Sequence, residues 1–200
     1  MNADTGATPA VRFILASNSP RRRELLARHG FAPEIVPSNV PEFEDADADP
    51  REMVLRNAAA KARHVADANP DALVLGADTV VAIGDRVLNK PADLAEARAM
   101  LHLLAGREHT VFTGTALVRR AAGVDELDCV SCRVRFRPLD DAAITRYFAL
   151  VNPLDKAGAY GIQEGREIII ASYDEPLSCI MGLPVEHLAP RLRALLAHHR

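Results

Sequence analysis

The sequence predicts a mixed α/β fold, and three observations carry that expectation. Apolar runs of strand length interleave with segments whose apolar residues recur at helical spacing. Two consecutive strand pairs read as hairpins, which a purely parallel sheet cannot contain. The 200 residues are 48% hydrophobic and 26% charged, the balance of an ordinary globular domain.

Taken in order, residues 1–11 read as a flexible tail without the basic start or apolar centre of a signal peptide, and 12–200 as one domain. "ILASNSPRRRELL", 14–26, is a strand running into a helix, with Ser19 as cap and Pro20 at the first helical position. The acidic loop "EFEDADADP" ends at Asp49 and Pro50, which open a helix over about 50–68 carrying Met53, Val54, Ala58 and Val65. "ALVLGADTVVAIGDRVL" reads as a buried strand over 72–76, a short break, then a second strand and a turn at Gly84-Asp85. Asp93 and Glu96 resemble a capping box for a helix that stops at Gly106. Residues 109–120 and 126–137 alternate like a hairpin turning around Ala121–Asp125. A helix over about 140–150 has Asp140 as its cap, and 152–165 is irregular, with three glycines. "REIIIASY" reads as a strand, and Leu183–His198 as a closing helix entered through Pro184.

Charge and cysteine usage narrow the function. A net charge of −3 argues against nucleic acid as a bulk partner, so any anion recognition is local. No apolar run approaches the ~20 residues that span a bilayer, so no membrane partner is expected. Three cysteines make no disulfide framework and point to a reducing cytoplasm.

Five stretches break the local rules, as functional sites tend to. Arg21, Arg22 and Arg23 fill the first turn of a helix, where each costs ~0.3–1 kcal/mol unless an anion offsets it. Together with the helix N–H groups they could bind phosphate; the alternative is a solvated basic face in which Arg23 pairs with Glu24. Asp78 of "GADT" follows an apolar run, which places it at or near a strand's carboxyl end. A carboxylate there can hold a hard cation or take a proton from water, and a turn-making Asp is the alternative. Glu42 offers a second carboxylate, and the two suit a Mg²⁺ completed by substrate phosphates. Lys61 and Lys90 are either cleft groups or ordinary surface lysines. "DKAGAYGIQ", 155–163, combines small residues with Asp155, Lys156, Tyr160 and Gln163 as polar or stacking groups. Cys129 and Cys132, by contrast, would point to opposite faces of a strand and are poorly placed to share a metal.

"LASNSPRRRELL", "GADTVV", "NKPAD", "AGREHTVFTG" and "DKAGAYGIQ" occur here in the order and spacing of the Maf family of nucleotide pyrophosphatases. The resemblance runs from about Phe13 to Leu188. It implies a mixed twisted sheet flanked by helices, with two lobes around a central cleft, similar in architecture to the inosine-triphosphate pyrophosphatases. It also implies hydrolysis of nucleoside triphosphates to the monophosphate and pyrophosphate with a divalent cation, Mg²⁺ or Mn²⁺. Carried over by position, Asp78 would be the catalytic base and a metal-linked carboxylate, with Glu42 as the second metal carboxylate. The family loop has successive acids there, and Pro41 replaces the first. Arg21 and Arg22 match its phosphate-binding pair and Lys61 and Lys90 its cleft lysines, while Ser17 and Lys156 fall inside its substrate-binding motifs.

Thr79 and Gln163, with Arg21, resemble the branch that prefers dTTP, UTP and related pyrimidine nucleotides. A glutamine both donates and accepts, as the O4/N3–H edge of thymine or uracil requires. A branch preferring 7-methyl-GTP, with "SDQ" and a later glutamate, is one alternative. The other is a non-enzymatic septation regulator, because the resemblance also implies a link to cell-division arrest. A homodimer is implied as well. After Gln163 the chain departs from the family pattern, with Ala171 in a glycine position.

Overall fold

A computed structural model describes residues 11–197. The tail expected over 1–11 lies, save for Val11, outside the described residues, as does His198 at the end of the closing helix. Seven strands form one mixed sheet: β1 (Phe13–Leu15), β2 (Glu34–Ile35), β3 (Leu73–Ile83), β4 (Arg86–Leu88), β5 (Glu108–Arg119), β6 (Val124–Phe136) and β7 (Ile170–Tyr173). Their order is β2-β1-β3-β5-β6-β7, with β4 paired to β3. β1 is parallel to β2 and β3, and the remaining pairs are antiparallel.

The helices are α1 (Pro20–Arg28), α2 (Pro50–Ala68), α3 (Leu94–Leu104), α4 (Asp141–Phe148), α5 (Arg166–Ile169), α6 (Leu177–Ile180) and α7 (Val185–Ala197). The expected caps form: the Asp49 carboxylate accepts the Glu52 N–H at 2.9 Å, and that of Asp140 accepts the Ala143 N–H at 2.7 Å. Asp93 accepts the Glu96 N–H at 2.8 Å, while the Glu96 carboxylate reaches the Ala92 N–H at 2.7 Å, one residue earlier than a capping box would. No helix among the described residues is long and apolar enough to cross a membrane.

One face of the sheet carries α2, whose Ala58, Ala62, Val65 and Ala66 pack on Ile14, Val74, Ala116 and Val118. The opposite face carries α1, α3, α4 and α7 over Leu15, Leu75 and Leu117. Two glycines let α2 approach the sheet this closely. A Cβ at Gly76 would lie 2.3 Å from the Ala58 carbonyl oxygen, and one at Gly114 would lie 2.6 Å from that of Val54.

Two expectations need correction. The break expected after residue 76 does not exist, because β3 is continuous over Leu73–Ile83. Gly76 marks the close approach of α2, not a turn. "REIIIASY" does not begin as a strand: Arg166–Ile169 is a helical turn entered from Gly165 at φ +61°, and the strand starts at Ile170. A short apolar run fits either element, and the left-handed glycine ahead of it selects the turn.

Candidate active site

The site is built on β3. Along one edge β3 pairs with β1 only as far as Leu75, and with β4 only from Val81 onward. Residues 76–80 therefore have a sheet neighbour on the β5 side alone, and a cleft of about 490 Å³ opens on that gap. Since the edge is bare there, side chains from both faces reach the cleft: Asp78 from the α2 face and Thr79 from the other. Asp78 is thus in mid-strand, not at a strand's end, but it lies just beyond the end of the parallel ladder.

Every side chain expected at the site meets in this cleft. Ser17, Arg21 and Arg22 come from the β1–α1 turn, Glu42 from the acidic loop, Lys61 from α2, and Asp78 and Thr79 from β3. Lys90 arrives from the β4–α3 connection, and Lys156 and Gln163 from the irregular loop after α4. Arg23 is exposed and does not line the cleft.

α2 presents Asn57 and Lys61, one turn apart, to Asp78. Lys61 Nζ lies 2.7 Å from Asp78 Oδ1 and 2.6 Å from Glu42 Oε1, so one ammonium bridges both carboxylates. Asn57 Nδ2 donates to Asp78 Oδ2 at 3.0 Å and to the Phe43 carbonyl at 3.0 Å, while its Oδ1 accepts the Phe43 N–H at 2.8 Å. A single buried amide therefore fixes the Asp78 rotamer and the acidic loop together. Lys90 Nζ reaches Glu42 Oε2 at 3.4 Å. Burial pushes the Glu42 carboxyl up, but its contacts with Lys61 and Lys90 outweigh that and hold it below its ordinary value. Pro41 leaves these contacts in place, and Glu44 lines the same cleft.

Arg22 bends back from α1 into the cleft. Its Nε donates to the Gly182 carbonyl at 2.8 Å, Nη1 to Ser17 Oγ at 3.1 Å and Nη2 to Thr79 Oγ1 at 3.3 Å. Burial pulls its guanidinium below the ordinary value, against the charges of Asp78 and Glu42. Arg21 faces Asp155 Oδ2 at 3.5 Å. Lys156 is fastened inside its own loop, with Nζ 2.7 Å from the Asn152 carbonyl and 2.6 Å from Asp155 Oδ1. Tyr160 lines the cleft from a buried position. Its hydroxyl lies 2.8 Å from His109 Nε2, and its ring meets Phe136 edge-on. Burial lowers His109 to about 4, which leaves it neutral near pH 7 and anchors the loop to the core.

Five cationic side chains and four carboxylates line the cleft, a near balance that cannot by itself offset a triphosphate. Glu42 and Asp78 are hard oxygen donors brought together on Lys61 Nζ, so a cation would use their remaining lone pairs, and the described residues hold no group of three or more His, Cys, Asp or Glu suited to a metal. That donor set fits a small divalent cation whose other ligands are phosphate oxygens and water.

Sequence reading did not pick out Asn57, Thr113 or Gly182, although all three hold first-named site groups in place. Asn57 had a usable sign: a polar residue one turn before Lys61 on an alanine-rich, core-facing helix needs a buried partner.

Residues 12–195 match the Maf-like protein family. A dTTP/UTP pyrophosphatase of Akkermansia muciniphila is 43% identical over 182 residues, which is 91% of this chain and 95% of that protein. Its namesake in Moorella thermoacetica is 45% identical over 174 residues, covering 87% of this chain and 90% of the relative. A HAM1 protein from Coxiella burnetii is a distant structural likeness, with TM-score 0.43 and 18% identity over 63% of this chain and 73% of its own. With nearly the whole sequence matched, the chain belongs to the Maf-like protein family.

Proposed function

We propose that this chain hydrolyses nucleoside triphosphates, dTTP and UTP by preference, to the monophosphate and pyrophosphate. The observation that carries the reading is the meeting of Asp78, Glu42 and the cationic side chains in one cleft, in a chain so similar to dTTP/UTP pyrophosphatases. Arg21, Arg22 and Lys90 hold the phosphates, and positioning together with charge compensation is the main work a protein does in phosphoryl chemistry. Each Asp78 oxygen accepts one bond, from Lys61 or Asn57, and keeps a second lone pair. With it, Asp78 orients a water and takes its proton as the water oxygen attacks the α-phosphorus and the α–β anhydride bond breaks. Gln163 reads the base edge. A divalent cation, Mg²⁺ or Mn²⁺, held by Glu42 and Asp78 would add positive charge at the phosphates when bound.

The same proposal takes 12–200 as one catalytic domain, acting in the cytoplasm as a homodimer. The buried free thiols of Cys129, Cys132 and Cys179 suit a reducing compartment.

A substrate panel tests the preference. With Mg²⁺ present, kcat/KM for dTTP and UTP is expected to exceed that for 7-methyl-GTP and ATP by about tenfold or more. A preference for 7-methyl-GTP would overturn the assignment of Thr79 and Gln163.

A further inference from the structure

We propose that Thr113 is a positioning residue for Arg22, and through Arg22 for the substrate's phosphates. The inference rests on the reading of the cleft given above. Thr113 is fully buried on β5, directly opposite Thr79 in the β3–β5 register, and it does not line the cleft. It cannot touch a bound nucleotide, so its effect must pass through neighbours.

Those neighbours form a chain with one allowed direction. Thr113 Oγ1 donates to the Cys179 carbonyl at 2.9 Å, which uses its only proton. Its 2.9 Å contact with Thr79 Oγ1 is therefore a bond that Thr79 donates. The Thr79 oxygen in turn accepts from Arg22 Nη2 at 3.3 Å. The chain then closes on itself: the Cys179 carbonyl also accepts the Gly182 N–H at 3.0 Å, and the Gly182 carbonyl accepts from Arg22 Nε at 2.8 Å. The guanidinium is thus held at two of its nitrogens, Nε and Nη2, by one ring of hydrogen bonds.

Gly182 makes the ring possible. It sits at φ +98°, and a Cβ there would lie 3.2 Å from Thr79 Oγ1. A buried hydroxyl is costly unless bonded, and Thr113 has both bonds it needs. One consequence concerns specificity. The proton of Thr79 is committed to Thr113, so Thr79 cannot donate to a base and acts on substrate choice through Arg22.

Two substitutions separate this role from packing. Thr113→Val keeps the shape of the side chain and removes both hydrogen bonds. Thr113→Ser keeps the hydroxyl and loses a methyl group. Each is compared with wild type by calorimetric titration of dTTP without metal, by kcat/KM for dTTP with Mg²⁺, and by melting temperature. Thr113→Val is expected to weaken dTTP binding and lower kcat/KM by about tenfold. Thr113→Ser should stay within about twofold of wild type in both, even where its melting temperature falls. Equal losses in the two variants, or wild-type values for Thr113→Val, would overturn the inference. A wild-type protein that binds dTTP without turning it over would sink the pyrophosphatase reading, and the binding data alone would then decide the role of Thr113.

Discussion

Asp78→Asn is expected to lower kcat for dTTP by about 10³-fold, within the range that loss of a positioned general base produces. The amide can still accept from Lys61, but it cannot take a proton from water at neutral pH. Its NH₂ would also face Asn57 Nδ2, whose orientation is fixed by bonds to the Phe43 N–H and carbonyl. Losing that bond should cost roughly 1–2 kcal/mol, so the protein stays folded. The chain has no tryptophan, and circular dichroism melting is the suitable control. Near wild-type turnover by the folded variant would remove Asp78 from the catalytic role.

Lys61→Met should do greater damage to the fold. Lys61 is the one ammonium that touches both Asp78 and Glu42, and its side chain is 10% exposed. Without it Asp78 keeps only Asn57, and two carboxylates face each other across the vacated position. Breaking a buried pair from one side costs about 3 kcal/mol or more, which for a chain of this size lowers the melting temperature by roughly 6–12 °C. The pH dependence should change too. Glu42 is held below its ordinary 4.5 in the folded state, so its contribution to stability is present above that value and is lost as pH falls through the lower folded value. Removing Lys61 removes most of that contribution, so the variant should lose less stability than wild type on acidification below 4.5. Parallel acid-melting curves for the two proteins would contradict the assigned contacts.

Local chemistry made much of this fold legible in the sequence. Asp49-Pro50 opens α2 where capping rules place it, and the alternation of 109–120 and 126–137 marks the β5–β6 hairpin. Gly76 was legible as an exception but not as to cause. A glycine that relieves a clash with a helix from 18 residues earlier looks, in sequence, like a glycine at a turn. The ten expected site residues, all of which line the cleft, were legible because their motifs are contiguous and polar against apolar flanks. What supports them was hidden for a different reason. Asn57 meets Asp78 across 21 residues of sequence and Thr113 meets Thr79, the partner of Arg22, across 34, and only the docking of α2 and the β3–β5 register create those contacts.

The odd arginine turn also has its explanation here. Arg21 and Arg22 line the cleft, where Asp155 and the carbonyl and hydroxyl oxygens of Gly182, Ser17 and Thr79 receive them. Arg23 stays exposed. The first turn is therefore less burdened than its sequence suggests, since two of its three guanidiniums have oxygen partners in the cleft.

The measurement that bears most directly on the proposed reaction is the fate of the attacking oxygen. The protein is incubated with dTTP and Mg²⁺ in water enriched in heavy oxygen, and the products are identified by phosphorus NMR and mass spectrometry. Attack at the α-phosphorus predicts labelled dTMP and unlabelled pyrophosphate, in equal amounts. Label in the pyrophosphate, or formation of dTDP and inorganic phosphate, would contradict the proposed reaction at this cleft.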